Sequence, residues 1–352
     1  MNHETLRGEV VEAEKDRTRA AHWLTARAPA VARPGRIGPY ELLDELGEGG
    51  VGIVYRARHL VSGESVALKT VRVRATAHLS SVRREILALH RLRHPGIVRI
   101  IDGGVFEGSP WYAMELLSGC TLLQTIGSGS NEFSTIPSLS LEKPPFAEPR
   151  NPTLPRLPRP AAGGRLGELL TLFRLLCAPL AYLHGEGIVH RDIKPSNVFI
   201  RPDGTPVLMD FGLVGRWRGA LGREILEETQ TFGGTLVYMA PEQIRGENGD
   251  ARSDLYALGS TMYEALTGMV PFEDAGTNPG TFVRGARPVA PSEIVAGIPK
   301  GLDDLVLRLL AKDPRDRIGH ADDVAQALAA LGARDWPSEA IPRGRAYLYQ
   351  PR

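Results

Sequence analysis

One polar stretch and the acidic triplet behind it constrain this chain more than any other feature. His190 to Asn197 reads His-Arg-Asp-Ile-Lys-Pro-Ser-Asn and sets a carboxylate, an ammonium group and an amide at fixed offsets. Asp210-Phe211-Gly212 follows 13 residues after Asn197, behind the apolar run Val207 to Met209, which is typical of a strand. The sequence therefore predicts a tight polar loop and a strand end that present oxygen and ammonium groups together.

Length and composition limit the class of protein. The 352 residues are 42% hydrophobic and 24% charged, as in soluble globular proteins, and suffice for two or three compact units. A formal net charge of +1 gives no global field for nucleic acid or an anionic membrane, so we expect neither as a main partner. Cys120 and Cys177 cannot form a disulfide framework, which favours a reducing cytosol.

We expect neither a membrane span nor a signal peptide. The richest apolar stretch, Leu166 to His184, is interrupted by Glu168 and Arg174. Charged residues occupy the N-terminus, where a signal peptide would be apolar: Glu4, Arg7, Glu9 and Glu12. The composition and these interruptions favour a soluble, cytoplasmic protein.

Three segments are predicted to lie outside any compact core. Residues 1–36 form a charged extension, in which a helix over Glu9 to Arg27 would have only a sparse apolar face. Residues 127–164 are Ser-rich and then Pro-rich, which predicts a disordered or polyproline II insert. A passive loop is favoured there over a docking or autophosphorylation segment. Residues 332–352 form an irregular C-terminal tail.

The glycine-rich stretch Gly47 to Gly52 is predicted to be the turn of a β-hairpin. Tyr40 to Leu46 reads as a strand, Ile53 to Arg58 alternates with period two as the returning strand, and Ser65 to Arg72 reads as another. The same glycine spacing occurs in dinucleotide-binding folds, but there a helix must follow the glycines. Because glycine lacks a Cβ, backbone amides in this turn can approach phosphate oxygens closely.

Helical periodicity dominates the remaining segments. The predicted helices are Ser80 to Leu92, Arg165 to His184, Ser253 to Leu266, Leu302 to Leu310 and Asp322 to Leu331. Pro179 lies inside the second helix and should kink it. Ser253-Asp254 and Gly268 are expected to begin and end the third.

These motifs together resemble the protein kinase superfamily over about Ile37 to Leu331. Their order and spacing carry the resemblance. The matching motifs are the glycine turn at 47–52, Val66-Ala67-Leu68-Lys69, the loop from His190 to Asn197, Asp210-Phe211-Gly212 and Ala240-Pro241-Glu242. Lys194 and Gly233-Gly234-Thr235 resemble Ser/Thr rather than tyrosine kinases, and Ala240 to Gln243 is phrased as in the eukaryotic-like kinases of bacteria.

The resemblance implies an α+β, bilobal protein kinase fold. A small antiparallel β-sheet N-lobe with one helix would occupy about 37–114. A hinge at about 115–118 would join it to a mostly helical C-lobe at about 119–331. The insert at 127–164 would project from the larger lobe of this domain, 37–331, just beyond the hinge.

The resemblance also implies roles around a reacting phosphate. Asp192 would accept the proton of a substrate hydroxyl or orient that hydroxyl, and Lys194 would neutralise the γ-phosphate. Lys69 would hold the α- and β-phosphates and would itself be oriented by Glu85.

ATP and a divalent metal ion are the implied cofactors. Asn197 and Asp210 would be hard oxygen ligands for Mg²⁺, with Mn²⁺ as an alternative. Met114 would be the gatekeeper beside adenine, with backbone contacts from Glu115 to Leu117. The implied ATP-binding residues are Gly47, Glu48, Gly49, Gly50, Val51, Gly52, Val54, Ala67, Lys69, Met114, Glu115, Leu117 and Phe199.

The implied partners are protein substrates with Ser or Thr acceptors. Thr235 would hydrogen-bond toward Asp192 and Lys194 and form the platform beside the acceptor residue. Thr229 or Thr231 is predicted to be autophosphorylated and to pair with Arg191, with a homodimer as a route to reaction in trans. A threonine pair that never carries phosphate is the alternative.

The resemblance further implies structural contacts in the larger lobe. Arg317 would pair with Glu242, and Leu89, His190 and Phe211 would join a stacked apolar column.

Two other functions stay open. A nucleotide-binding pseudokinase scaffold would usually lack the lysine, the catalytic aspartate or the metal-binding aspartate, whereas Lys69, Asp192 and Asp210 are all present. A small-molecule phosphotransferase on a related fold would generally lack the segment from Thr235 to Glu242, which is also present.

Overall fold

Among the residues that the structure describes, strands dominate up to Glu115 and helices dominate from Leu122 onward. This computed structural model describes residues 35–49, 52–71, 86, 88–126, 164–211, 236–247, 249–272 and 287–335. The predictions for the N-terminal extension, for the insert over 127–163 and for the tail from 336 onward lie outside those residues.

The N-terminal part is an antiparallel sheet of six strands in the order β1-β2-β3-β4-β6-β5. The strands are β1 (Arg36–Ile37), β2 (Tyr40–Gly49), β3 (Gly52–His59), β4 (Ser65–Thr70), β5 (Ile100–Phe106) and β6 (Ser109–Glu115). The register sets Val54 opposite Lys69 and Ala67 opposite Met114. Because opposed residues of an antiparallel pair share a face, these four side chains lie on one face of the sheet.

Alternation along each strand gives the two faces of this sheet different partners. Tyr55 and Leu68 pack with Trp111 in a small apolar cluster on one face. On the other face, Ala67 and Met114 belong to the large core that continues into the helical part. The face that carries Lys69 is therefore the face that meets the rest of the molecule.

The predicted hairpin is present, since β2 and β3 pair antiparallel from Tyr40 opposite His59 to Gly49 opposite Gly52. The strands run further into the glycine stretch than predicted, and the two residues between them lie outside the described part. Gly52 approaches the next strand closely, because a Cβ there would lie 1.7 Å from the carbonyl oxygen of Thr70. Only glycine fits this position without displacing β4.

Seven helices stand among the described residues, with a second, three-stranded sheet beside them. The helices are α1 (Leu122–Ile126), α2 (Gly164–Gly185), α3 (Pro241–Ile244), α4 (Ala251–Thr267), α5 (Pro291–Ile294), α6 (Lys300–Leu309) and α7 (Ala321–Ala330), and the strands are β7 (Cys120–Thr121), β8 (Val198–Ile200) and β9 (Pro206–Leu208). Four of the five predicted helices correspond to α2, α4, α6 and α7, with ends shifted by one or two residues. The fifth prediction, from Ser80, lies mostly outside the described residues.

The cap of α4 differs from the prediction. Asp250 caps the helix, because its side chain accepts the backbone N–H of Arg252. Ser253 and Asp254 lie inside the first turns, where both are buried. Gly268 ends the helix in the left-handed region at φ 75°, as predicted.

Pro179 has a packing role. Helix α2 continues through it to Gly185, so the helix is not broken there. A Cβ on Gly96 would lie 2.9 Å from the Cγ of Pro179. The proline ring therefore packs directly on the loop that enters β5, at a point where the facing residue can have no side chain.

Helix α2 is long and apolar enough to cross a membrane by length and composition, over Leu166–Gly185 with a mean hydropathy of 1.5. The sequence analysis expected no candidate membrane span, and by length and composition that expectation is wrong. Phe173, Leu176, Leu180 and Leu183 are fully buried in the large core. Because a core helix passes the same test, this helix is weak evidence for a membrane span.

A buried ion pair ties the segment around α3 to the C-terminal helices. The Nη1 and Nη2 of Arg317 donate to the two carboxylate oxygens of Glu242 at 2.6 and 2.7 Å. Ser253 adds a hydrogen bond from its Oγ to Glu242 at 2.7 Å. The predicted pairing of Arg317 with Glu242 is thus confirmed, in the bidentate geometry that favours arginine over lysine.

Removing one partner of this pair should destabilise the fold strongly. Arg317→Leu leaves the Glu242 carboxylate buried without its cation, which costs about 3–5 kcal/mol of unfolding free energy. Arg315→Leu is the matched control, because Arg315 pairs with Asp313 while 84% exposed. Chemical denaturation should show a large loss for the first variant and almost none for the second. Equal losses of unfolding free energy in the two variants would contradict the stabilising role of the pair between Arg317 and Glu242.

Candidate active site

The loop from His190 to Asn197 is anchored from below by Asp254 on α4. The Asp254 carboxylate is fully buried and accepts the backbone N–H groups of His190 and Arg191 at 2.8 and 2.7 Å. His184 Nε2 lies 2.9 Å from the same carboxylate. Burial alone would raise the pKa of Asp254, but the hydrogen bond from His184 and the neighbouring groups hold it below the ordinary value. An ionised carboxylate therefore fixes the loop backbone.

The anchored backbone is strained. Arg191 adopts φ 69°, in the left-handed region that non-glycine residues rarely occupy. Its N–H is held by Asp254, and its carbonyl oxygen accepts Gln243 Nε2 at 3.3 Å. Contacts on both sides stabilise a conformation that costs about 1–3 kcal/mol when unsupported.

Asp192, Lys194 and Asn197 form one connected group within the loop. Lys194 Nζ lies 3.0 Å from Asp192 Oδ2. Asn197 Nδ2 donates to the same Oδ2 and to the Asp192 carbonyl oxygen, both at 2.8 Å. The Asn197 side-chain oxygen accepts a hydrogen bond from the Ser196 hydroxyl at 3.4 Å. The Asp192 carboxylate is held in a fixed direction by its contacts with Lys194 and Asn197.

Asp210 comes to this group at the end of β9. The carbonyl oxygen of Asn197 accepts the N–H of Met209 at 3.0 Å, which joins the loop to the residue before Asp210. Asp210 itself adopts φ 57°, a second left-handed non-glycine residue. Two strained backbone positions thus lie within one site, where such strain is common.

His190 links the loop to the residues around Asp210. Its Nε2 lies 3.2 Å from the Met209 carbonyl oxygen, and its ring lies 4.8 Å from the ring of Phe211. The Asp192 N–H donates to its Nδ1 at 3.4 Å. Burial lowers the pKa of His190, so the ring is neutral, with Nδ1 accepting and Nε2 donating. The predicted contact of His190 with Phe211 is present, and Leu89 is buried in the same core.

Lys69 reaches this group from the sheet. Its Nζ lies 2.8 Å from Asp210 Oδ1, so the six-stranded sheet and the helical part meet at an ion pair. Burial lowers the pKa of Lys69, but the nearby Tyr112 and the Asp210 carboxylate raise it further, and the net shift is upward. Lys69 therefore carries its charge at neutral pH.

Apolar side chains of the sheet, the hinge and β8 belong to the large core or pack against it. Ala67 and Met114 are buried, and Val54, Leu117 and Phe199 are partly buried against the large core. Leu46, just before the glycines, packs against the same core and was missed as a site residue. The register of β2 is irregular between Glu45 and Gly47, so simple alternation along the strand does not predict which face Leu46 occupies.

Glu115 was predicted to contact adenine through its backbone, and that role stays a prediction. Its backbone N–H donates to the Arg99 carbonyl oxygen at 3.0 Å, so that amide is not available to a ligand. Its carboxylate accepts the Arg99 N–H at 2.9 Å and Arg201 Nη2 at 3.1 Å. The Glu115 side chain thus connects the end of β6 to the residue that follows β8.

Several predicted site residues lie outside the described part of the chain, and their roles stay predictions. These residues are Gly50, Val51, Glu85, Thr229, Thr231 and Thr235. The contact of Lys69 with Glu85 is therefore not among the observed contacts, whereas the contact with Asp210 is.

The donor set suits a hard cation bound mainly through phosphate. Asn197 and Asp210 supply one amide and one carboxylate, both oxygen ligands. Among the residues that the structure describes, no group of three or more His, Cys, Asp and Glu side chains could hold a metal ion by itself. A site with two protein oxygens fits Mg²⁺, which is usually shared with substrate phosphates.

Comparison with known proteins places this geometry in a family. The model of the protein kinase domain matches residues 40–329. The chain is 34% identical over 314 residues to the DNA damage-responsive serine/threonine-protein kinase RqkA of Deinococcus radiodurans, covering 87% of this chain and 42% of that protein. It is 33% identical over 299 residues to the serine/threonine-protein kinase PknH of Mycobacterium tuberculosis, covering 82% and 41%.

A solved structure agrees with these relatives. The crystal structure of the Mycobacterium tuberculosis PknI kinase domain matches with a TM-score of 0.60 and 26% identity, covering 86% of this chain and 99% of that one. The chain therefore belongs to the protein kinase family and has its bilobal fold. It spans about two fifths of the length of the curated relatives named above.

The Asp254 anchor can be tested by removing its charge alone. Asp254→Asn should lower the unfolding free energy by about 2–3 kcal/mol, because hydrogen bonds to a buried anion are lost or weakened. Asp250→Asn is the matched control on the same helix, since asparagine caps nearly as well as aspartate. Denaturation of both variants at neutral pH measures the difference.

The pH dependence gives a second check. A carboxyl whose pKa is depressed on folding stabilises the protein above its ordinary pKa of 3.8, and this stabilisation is lost as the pH falls below that value. The difference in unfolding free energy between wild type and Asp254→Asn should therefore become smaller in acid. A difference in unfolding free energy that does not change with pH would contradict the role of Asp254 as the anchor of the loop. An equal difference for Asp250→Asn would contradict it as well.

Proposed function

We propose that this chain is an ATP-dependent protein kinase that transfers the γ-phosphate of ATP to Ser and Thr hydroxyls of proteins. One observation carries the proposal: charged groups from the sheet, the loop and the end of β9 meet in a single cleft. Lys69 lies 2.8 Å from Asp210, and Lys194 lies 3.0 Å from Asp192. Asn197 connects the two pairs, through its side chain to Asp192 and through its backbone to Met209.

The chemistry needs positioning and positive charge more than covalent help from the protein. Asp192 is held by Asn197 and Lys194 in one direction, so it can orient an acceptor hydroxyl and take its proton. Lys194 lies close enough to neutralise charge on the transferred group. Lys69 supplies a second cation for the α- and β-phosphates, on the opposite side of the site.

The metal ion is part of the proposal. Members of this family use ATP with a divalent cation, and Asn197 and Asp210 would hold it here, as Mg²⁺ or alternatively Mn²⁺. When bound, the ion would neutralise charge on the phosphate oxygens. Asp210 would exchange its contact with Lys69 for the ion, and Lys69 would turn to the phosphates.

Adenine would bind against the apolar face described above. Ala67 and Met114 lie opposite each other in the sheet, and Phe199 and Leu117 approach from the helical part and the hinge. The glycine turn would cover the phosphates. In this proposal the adenine would lie at the hinge and the γ-phosphate at Asp192.

The substrate class rests on two supports. Lys194 in the loop and Thr235 before Ala240-Pro241-Glu242 resemble the corresponding motifs of Ser/Thr kinases. The relatives RqkA and PknH are both named as serine/threonine-protein kinases. We therefore propose protein substrates with Ser or Thr acceptors, and a role in bacterial signalling.

Boundaries, location and assembly complete the proposal. The kinase domain would span 37–331, with an N-lobe at 37–114 and a C-lobe at 119–331. It would act in the cytoplasm, and a homodimer would allow phosphorylation in trans.

Replacing the proposed base tests the function directly. Asp192→Asn should lower kcat about 10²–10⁴-fold, while nucleotide binding stays near wild type, because the amide cannot accept the proton. Asp203→Asn is the matched control, as it changes the same charge on an exposed turn after β8. Radiolabel transfer from ATP to a generic basic protein measures the rate, with Lys69→Ala as a second inactive reference.

The outcomes separate the rival functions. Transfer to an aminoglycoside and not to protein would indicate a small-molecule phosphotransferase. Nucleotide binding without transfer to any acceptor would indicate a pseudokinase scaffold. Full activity of Asp192→Asn would refute the role of Asp192.

Autophosphorylation at Thr229 or Thr231 is a separate prediction. Phosphopeptide mapping after incubation with ATP and Mg²⁺ should find phosphate on one of them, since a phosphate there can pair with the Arg191 guanidinium. Replacing both with alanine should reduce the rate of transfer to a protein substrate. An active sample in which both threonines are unmodified would disprove this prediction.

A further inference from the structure

Tyr112 on β6 lies directly opposite Lys69 on β4. Opposed residues of an antiparallel pair project from the same face with their Cβ atoms about 4.5–5.5 Å apart. The phenol therefore lies beside the lysine side chain on the same face of the sheet. No sequence motif points to Tyr112, because a tyrosine in an apolar strand reads as an ordinary core residue.

Tyr112 is held firmly in this place. It is 3% exposed and belongs to the large core, together with Val71, Ile86 and Met114. Its position in the middle of β6 fixes the backbone through pairing on both sides, with β4 and β5. The hydroxyl cannot leave Lys69 without moving the ring out of a close-packed core.

The register and the burial of both residues bring the tyrosine hydroxyl and the Lys69 ammonium group together on this face of the sheet. Burial raises the pKa of Tyr112 to about 12, although the nearby ammonium group acts in the opposite direction. The phenol is therefore neutral at physiological pH, and its oxygen accepts from the charged ammonium group. Lys69 is thus bound by a neutral partner from its own sheet and by the Asp210 carboxylate from the other lobe.

Tyr112 and Asp210, the two partners of Lys69, should respond differently to the binding of nucleotide and metal. A carboxylate is a preferred ligand of Mg²⁺, so under the proposed function Asp210 would hold the ion in place of its contact with Lys69. The neutral phenol of Tyr112 is not such a ligand, and its position depends only on the sheet. Its contact with Lys69 can therefore persist while the contact with Asp210 is lost.

We propose that Tyr112 is a positioning residue for nucleotide binding, which holds the Lys69 ammonium group on the cleft face of the sheet where the phosphates bind. This role rests on the proposed function, whereas the contact between the two side chains does not. Without the phenol oxygen, the flexible lysine would sample orientations away from the phosphates.

A double-mutant cycle tests whether Tyr112 acts through Lys69. Tyr112→Phe removes one oxygen and keeps the ring, and Lys69→Met keeps an unbranched chain without the charge. Dissociation constants of adenylyl imidodiphosphate with Mg²⁺ are measured for wild type, both single variants and the double variant. Tyr112→Phe should weaken binding about threefold to tenfold when Lys69 is present, and less than about 1.5-fold in the Lys69→Met chain.

Tyr55→Phe is the matched control. Tyr55 is also a buried tyrosine of the same sheet, but it packs in the small cluster on the opposite face. Its replacement should change nucleotide binding by the same small factor whether residue 69 is lysine or methionine. If Tyr112→Phe does not fold, Tyr112→Leu takes its place in the cycle with the same expectation.

The same double-mutant cycle, measured on the unfolding equilibrium, tests the contact between Tyr112 and Lys69 without any nucleotide. Coupling between Tyr112→Phe and Lys69→Met of about threefold or more in the unfolding constant is expected. Additive effects in both cycles, or equal coupling for Tyr55→Phe, would overturn the proposal. If wild type transfers no phosphate, the proposed function fails, while the unfolding cycle still decides whether Tyr112 holds Lys69.

Discussion

The buried carboxylate of Asp254 holds the backbone on which the chemistry depends. It accepts the N–H groups of His190 and Arg191 from beneath the loop, with His184 beside it. Those contacts stabilise the left-handed conformation of Arg191 and so determine the direction of the Asp192 side chain. A loop with no such anchor would relax to ordinary backbone angles. Because Asp254 lies near the start of a helix whose side chains are mostly buried, its position is as rigid as the core itself.

From this fixed loop, short contacts reach the other parts of the site. Asn197 holds Asp192 with its amide nitrogen and joins Met209 through its backbone, which brings Asp210 into range. Asp210 then meets Lys69 in an ion pair that joins the helical part to the sheet. The family relationship and this chain of contacts lead to the same class of reaction. Phosphoryl transfer needs fixed charges around a phosphate, and a rigid loop, a strand end and a sheet supply them.

Motifs with fixed spacing made the loop, the strand β9, the glycine hairpin and four helices predictable from the sequence. The pairing of Arg317 with Glu242 followed from the family resemblance. The Asp250 cap was missed because Ser253 and Asp254 also suit a helix start, and only their buried partners show that they serve elsewhere. Tyr112 was missed because strand register, which places it beside Lys69, depends on tertiary pairing. The packing of Pro179 on Gly96 likewise joins residues far apart in sequence.

Amide hydrogen exchange of the loop is the most direct measurement of this account. The N–H of Arg191 donates to a buried anion at 2.7 Å, so its protection should approach that of core amides in Ala251–Thr267. Residue-resolved exchange on the wild-type chain without nucleotide is sufficient, because the anchor belongs to the fold and not to the ligand. Slow exchange of the His190 and Arg191 amides, close to the global rate, is the predicted result. Exchange of these amides at the rate of an exposed loop would contradict the account.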